Sequence, residues 1–480
     1  MQPGGGVDAQ LRERLSAALL SPPGDAVALR RKVEAALLVP PEQPATEPQQ
    51  QRVPQVVIDC DPGGDDVVAL FWLLSMQHQQ NCEVKAVTTT EGNVKAPLTF
   101  AAADKVLTLL SSVVQADIPV CAQTPPDARY GSPAERAASR ERYAEVAVAG
   151  MAASEAMVNL DDAAHIHGRD GMGGLSAQLR SRNSYTAAAE SYEVLIRALT
   201  ESPHEITILA TGPLTNLADA ERRRPGVLKL AKRIIIMGGA VANEGNITPL
   251  AEFNFAFDPD AAHLVMEQAG LSDVILMPLD VTTELICTER LTEQVVGRRL
   301  MRDGSSGERP STAPYKSSVE GCRLFFRDLA DFMVETNMAF KETQGAAGFL
   351  VHDASTVAAL FYPETLRFRR AQLCVVMDDE SKSSGGHALG GFTFVDNRHA
   401  AKTSANCWIG CEIKASACLS IMVQDLKLLV NAIPRDQGMS HAHPSYTSLE
   451  RAASPRGRDS ATVEASACSG APAAKKSRAS

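Results

Sequence analysis

Basic residues are outnumbered in this chain, with 47 Lys and Arg against 57 Asp and Glu and a formal net charge of −10 over 480 residues. A partner held by its phosphates calls for a basic surface, so the balance argues against nucleic acid. No apolar run reads as long enough to span a bilayer, so no membrane partner is expected. The first residues, MQPGGGVDAQLRERL, lack the apolar core of a secretory signal. Cysteine is sparse too: ten residues are scattered along the chain, and the one close pair, Cys407 and Cys411 in CWIGC, has no second pair at zinc spacing. Reduced, buried thiols and a cytoplasmic setting follow as expectations. Neither a glycine-rich phosphate loop nor an arginine cluster accompanies the motifs described below, which argues against a phosphorylated substrate.

Three regions differ in composition. Residues 1–54 hold helix-prone pieces (LRERLSAALL, AVALRRKVEAALL) broken by PPG and PPEQPATEPQQQ, an extension on a Pro/Gln-rich linker. Residues 435–480, rich in Ser, Ala, Gly and Arg, read as a disordered tail. Between them, over 55–434, short apolar runs (VVID, VKAVTT, IPVCA, EITILAT, KRIIIM, DVILMPL) alternate with helical segments such as APLTFAAADKVLTLL and SYEVLIRALTESP. This pattern predicts an α/β fold, an open and mostly parallel twisted sheet with flanking helices. Ligands of such sheets bind at the carboxyl ends of the strands.

At the end of the first predicted strand, VVIDCDPGGDDVVALFWLL places Asp59, Asp61, Asp65 and Asp66 between two apolar runs. Carboxylates crowded in a poorly solvated place repel one another and lose hydration. A helix N-terminus tolerates one or two, and capping needs only one. An all-oxygen set of this kind suits a hard cation, Ca²⁺ or Mg²⁺. Later segments add Thr211 after ILA, then Met237, Asn246, Glu252 and Asn254 in the IIIMGGAVANEGNITPLAEFNF stretch, and His352 and Asp353 in GFLVHDASTVAALF. In an extended segment Glu252 and Asn254 face the same side. Singly these have plainer roles: Asp353 as a helix cap, Asn246 in a turn, His352 in the core. Together they mark successive strand ends.

DCDPGGDD, TEGN, HGRDGMGGL, ATGPLTNLA, MGGAV…GNITPLAEFNFAFDP and VHDASTVA occur in this order and resemble the nucleoside hydrolase family of inosine–uridine-preferring type. The resemblance covers roughly residues 55–430, and GGFTFVDNR resembles the family's closing sheet segment. It implies the Rossmann-like nucleoside hydrolase fold with extra C-terminal strands, a homodimer or homotetramer, and Ca²⁺-dependent hydrolysis of the N-glycosidic bond of ribonucleosides in nucleoside catabolism and salvage. By the resemblance, Asp61, Asp66, the Thr211 carbonyl and Asp353 hold the calcium, with Asp59 orienting the loop from behind. Asp61 is then the general base for a metal-bound water. Asp65, Asn93, Asn246, Glu252 and Asn254 clamp the ribose hydroxyls, Met237 lines the sugar site, and His167 lies near the pocket. His352 resembles the histidine beside the leaving base, and its ionisation near neutral pH would let it donate a proton. The purine-specialised group stacks the base on tryptophan instead, whereas Trp72 and Trp408, the two present here, both read as core. Segments 126–165 and 303–318 look inserted, and the latter precedes the helical VEGCRLFFRDLADFMVE, where the family has its pocket lid.

Two other readings compete. A haloacid dehalogenase-type phosphatase also ends its first strand in DxD, but Asp61 is followed by Pro62 and Gly63, and GNITPLAEFN finds no use there. A catalytically silent nucleoside binder differs only in lacking turnover.

Overall fold

The structure, a computed structural model, describes residues 53–431 except 153–162, 269–272, 298–313, 341–342, 344, 378–388, 397 and 399–404. The expected N-terminal extension, the tail and most of the second insertion lie outside these residues.

β1 (Gln55–Cys60) leads into α1 (Gly64–His78), β2 (Glu83–Thr89) into α2 (Ala96–Val114), and β3 (Val120–Cys121) into α3 (Pro133–Ala152), α4 (Ala164–His167) and α5 (Ser191–Glu201). β4 (Ile206–Ala210) precedes α6 (Thr215–Arg223), β5 (Arg233–Met237) precedes α7 (Phe253–Phe257) and α8 (Pro259–Gln268), and β6 (Asp273–Met277) precedes α9 (Leu279–Thr282). Then come β7 (Ile286–Thr288), α10 (Glu289–Val296), α11 (Val319–Phe340), β8 (Gly348–Leu350) and α12 (Ala354–Phe361). The described chain closes with β9 (Leu366–Ala371), β10 (Leu373–Val375), β11 (Thr393–Val395), β12 (Cys407–Ile413) and α13 (Ala415–Val430).

Eight strands form one sheet in the order β3-β2-β1-β4-β5-β6-β12-β9. All neighbours are parallel except β9, which runs antiparallel to β12. Central strands with both faces covered must be apolar throughout, and ITILA and RIIIM are. Alternate residues feed two cores: Val56, Ile58 and Cys60 pack with α1, α2, α11, α12 and α13 on one face, and Val57 packs with α5, α6 and α8 on the other. The strand order reverses between β1 and β4, the position at which a doubly wound sheet opens a crevice.

Two short strands stand apart from the main sheet, and one expectation needs correction. The strand of GFLVHDAS, β8, is not in the main sheet but pairs antiparallel with β7 in a separate ribbon. β11, from GGFTFVDNR, likewise pairs only with β10, and Thr393 pins it to the β5 loop through Ala240 (Thr393 Oγ1 to Ala240 O, 2.6 Å). α2 is long and apolar enough to cross a membrane by length and composition, contrary to the reading that no run is. Here it is a core helix, with Phe100, Val106 and Leu110 buried among α1 and β2 residues.

Within the first insertion, α3 is anchored by Arg140, 3% exposed, whose guanidinium donates to the carbonyls of Ala122 (3.1 Å) and Ala188 (2.5 Å). Tyr143 of the same helix donates its hydroxyl to Glu91 in the TEGN loop after β2. The added helix thus braces a loop that carries Asn93.

Candidate active site

The turn after β1 sets the site. Gly63 N–H donates to Asp66 Oδ2 (3.0 Å), so Asp66 closes the first turn of α1. The end of β4 joins it: Thr211 N–H donates to the Asp59 carbonyl (2.8 Å), and Thr211 Oγ1 donates to Asp66 Oδ1 (2.8 Å). Asn93 N–H donates to Asp61 Oδ2 (2.7 Å), while its amide donates to the Asp61 carbonyl (2.9 Å) and to Asp66 Oδ2 (3.0 Å). Asp61 is wedged between two glycines, for a Cβ on Gly92 would lie 2.2 Å from its Oδ2 and one on Gly212 2.4 Å from its Oδ1. Asp353 stands at the N-terminus of α12 yet makes no side-chain cap bond, which leaves its carboxylate to the cluster.

Asp65, Asp66 and Asp353 each present a carboxylate oxygen within 4.8 Å of the others, all buried. Asp61 lines the same cleft but its oxygens are not in that set. Burial and then the charge of Asp66 push Asp65 up to about 7, and burial lifts Asp66 to about 6. Asp61 and Asp353 are pushed well above the carboxylate range, first by burial and then by neighbouring aspartates. Four buried carboxyl groups with no Lys or Arg among the cleft residues fit a cation, and a carboxylate donor set made only of oxygen fits a hard one. Asp59 lies behind, outside the cleft. Burial raises it to about 7 against the bonds from Thr88 Oγ1 (2.6 Å) and Asn216 Nδ2 (2.8 Å), and its Oδ2 is buried without a partner.

The opposite wall carries a single carboxylate, Glu252, among amide, thioether and imidazole side chains. Asn254 Nδ2 donates to the Thr211 carbonyl (2.8 Å) and lies 3.5 Å from Met237 Sδ. The Glu252–Asn254 segment is not extended, as the spacing argument assumed: Glu252 is the N-cap of α7, accepting from the amides of Asn254 (2.8 Å), Phe255 (3.2 Å) and Gly239 (2.9 Å). Both still face the cleft, because the cap turns Glu252 inward, and burial raises Glu252 to about 6. Asn246 Oδ1 accepts from Phe253 N–H (2.8 Å). His167 Nδ1 accepts from Gly64 N–H (3.0 Å), and burial drives its basicity down to about 3. Burial also lowers His352 to about 4, with its Nδ1 at 2.8 Å from Thr282 Oγ1. In the free protein His352 is therefore neutral at pH 7, which corrects the expected ionisation near neutrality.

Asp59 aside, the site residues singled out from the sequence line one open cleft of about 850 Å³, mouth included: Asp61, Asp65, Asp66, Asn93, His167, Thr211, Met237, Asn246, Glu252, Asn254, His352 and Asp353. The sequence reading missed His165, Phe253, Met333 and Asn337, which share the wall. His165 carried a signal, its i, i+2 spacing with His167 in AHIH. Met333 and Asn337, spaced i, i+4, lie in a helix whose pattern reads as core.

The family model described as inosine-uridine preferring nucleoside hydrolase matches residues 56–420. The pyrimidine-specific ribonucleoside hydrolase RihA of Citrobacter koseri is 31% identical over 340 residues, 71% of this chain and 89% of that protein. RihA of Salmonella typhimurium is 30% identical over the same coverage. Among solved structures, the plant nucleoside hydrolase PpNRh1 superposes with a TM-score of 0.57 at 25% identity, spanning 78% of this chain and 99% of its own. The purine-preferring ribonucleoside hydrolase of Gardnerella vaginalis, at 20% identity and a TM-score of 0.58, shares the fold. With the match running from the first strand into the last helix, and through every motif that builds the cleft, the chain belongs to the inosine–uridine preferring nucleoside hydrolase family.

Proposed function

We propose that this protein hydrolyses the N-glycosidic bond of ribonucleosides, releasing ribose and the free base, and that it does so with a bound Ca²⁺. The observation that carries the reading is one cleft with four aspartates crowded and buried at one end and amides, Met237 and His352 along the rest. Glycosidic cleavage develops positive charge on the ribose, so negative side chains fixed beside the sugar stabilise the transition state more than the ground state. Relatives named ribonucleoside hydrolases support the same chemistry.

Asp61, Asp66, Asp353 and the Thr211 carbonyl would hold the ion, with an oxygen of Asp65 within 4.8 Å of those of Asp66 and Asp353. When bound, it offsets the clustered charge and makes a nearby water easier to deprotonate. Asp61, fixed by the Asn93 amide and by close backbone at Gly92 and Gly212, takes the proton of the attacking water. Asp65, Asn93, Asn246, Glu252 and Asn254 meet ribose hydroxyls, which both donate and accept. Met237 packs on the sugar. His352, neutral and oriented by Thr282, donates a hydrogen bond to the base as it leaves. A cytoplasmic homodimer or homotetramer completes the reading.

The test is ribose release from uridine, cytidine and inosine by the purified full chain, with and without chelator. Turnover that a chelator abolishes and Ca²⁺ restores is expected. Tight nucleoside binding with no ribose formed would make the protein a binder and end the hydrolase reading.

A further inference from the structure

Tyr143, on the added helix α3, has no task in the mechanism above, yet it reaches the loop that holds the general base. Its ring is half-buried against the core, and its hydroxyl donates to Glu91 Oε2. Glu91 is a carboxylate only 6% exposed in the loop after β2. Lys95 Nζ donates to its Oε1 (2.9 Å), and the Ala96 N–H at the start of α2 donates to the oxygen that Tyr143 holds (3.4 Å). A carboxylate this deep depends on its donors, and removing one leaves it short of a partner.

The first insertion grips the same loop a second time. Ala163 N–H donates to the Asn93 carbonyl (3.1 Å), and the Ala163 carbonyl accepts from His167 N–H (3.0 Å). Between the two grips stand the groups that act on Asp61. A Cβ on Gly92 would lie 2.2 Å from Asp61 Oδ2, and Asn93 N–H donates to that oxygen at 2.7 Å. Movement of the loop is therefore passed directly to the Asp61 carboxylate.

We infer that Tyr143 is a positioning residue for the hydrolysis: by holding Glu91 it fixes the loop of residues 90–93, and through that loop it aims Asp61 at the attacking water. This rests on the hydrolase reading. A misplacement of about 1 Å in such a group costs on the order of 10²-fold in rate. Most of the ribose contacts, Asn246, Glu252 and Asn254, come from the segment after β5, so loss of the Tyr143 hydroxyl falls on kcat more than on KM.

Hydrogen exchange and steady-state kinetics of the full chain test this together in Tyr143→Phe, which keeps the ring and removes the hydroxyl. The amides of Thr90, Glu91, Gly92 and Asn93 all have acceptors, so their exchange reports whether the loop is held. In Tyr143→Phe they should exchange at least tenfold faster than in wild type. For a nucleoside that wild type turns over, kcat should fall at least tenfold with KM within threefold. In a Glu91→Ala background Tyr143→Phe should change neither quantity further. A helix that serves stability alone would show faster exchange in α3 and a lower melting temperature, with residues 90–93 and kcat as in wild type, and that result overturns the inference. So does a further tenfold fall of kcat in the Glu91→Ala background. Should Tyr143→Phe melt early, Glu91→Gln weakens the same bond from the loop's side and is held to the same two results. Ribose release by wild type from uridine, cytidine, inosine or adenosine upholds the hydrolase reading whatever Tyr143 does, and release from none overturns both.

Discussion

At the scale of single residues, the acidic cluster was legible because four aspartates between apolar runs have few physical explanations. Asp61 is the sharpest case. Its carboxylate has a donor in Asn93 and two glycines that leave it no room to swing. Asp61→Ala should lower kcat for ribose release by about 10²- to 10⁴-fold, the range a general base contributes, with an unchanged circular dichroism spectrum. A rate within a few-fold of wild type would remove it from the mechanism. Gly212→Ala addresses the wedge itself: a Cβ 2.4 Å from Asp61 Oδ1 must displace the carboxylate, so activity should fall while a free Asp61 remains in the chain. The neutrality of His352 was not legible. Ionisation near neutral pH is a property of exposed imidazole, and only burial in the assembled fold lowers it.

At the scale of elements, long periodic segments were read well and short ones were not. β4, β5 and β6 are continuous apolar runs whose only stable place is inside a covered sheet. β8 and β11, three residues each, follow the same local pattern, and nothing local tells a sheet strand from a ribbon strand. Contacts between helices were equally hidden. Asp425 of α13 accepts from Trp72 Nε1 of α1 (2.8 Å) and from the Tyr362 hydroxyl after α12 (2.6 Å), tying three helices together in the core. Asp425→Ala strands two buried donors and should destabilise the protein by about 2–5 kcal/mol, read as a lower denaturation midpoint. A midpoint like the wild type would show that the network carries no net stability.

For the whole molecule, stability should report the ion. In the metal-free protein Asp65 at about 7 and Asp66 at about 6 hold protons that the unfolded chain, with carboxylates near 3.8, has already lost. The folded state then binds more protons between roughly pH 4 and 7, so stability falls as pH rises through that window. His167 and His352, lowered from 6.5 to about 3 and 4, act the other way and lose stability as pH falls below 6.5. A divalent cation acts on the carboxylates alone. The rise in melting temperature on adding Ca²⁺ should therefore grow from pH 5 to pH 8. A rise independent of pH, or none at pH 8, would sink the carboxylate cluster as the ion's site.

The sequence by itself determined the α/β class, the central strands and the aspartates of the cleft, because apolar periodicity and crowded charge are local properties that burial must satisfy, and the family resemblance added cleft residues such as Asn93 and His167. Only the tertiary structure decided that β8 and β11 leave the main sheet, that Glu252 caps a helix while facing the cleft, that His352 is neutral, and that Tyr143 of the added helix meets Glu91. Each depends on a partner far away in the chain, and what a side chain meets is defined only once every neighbour is in place.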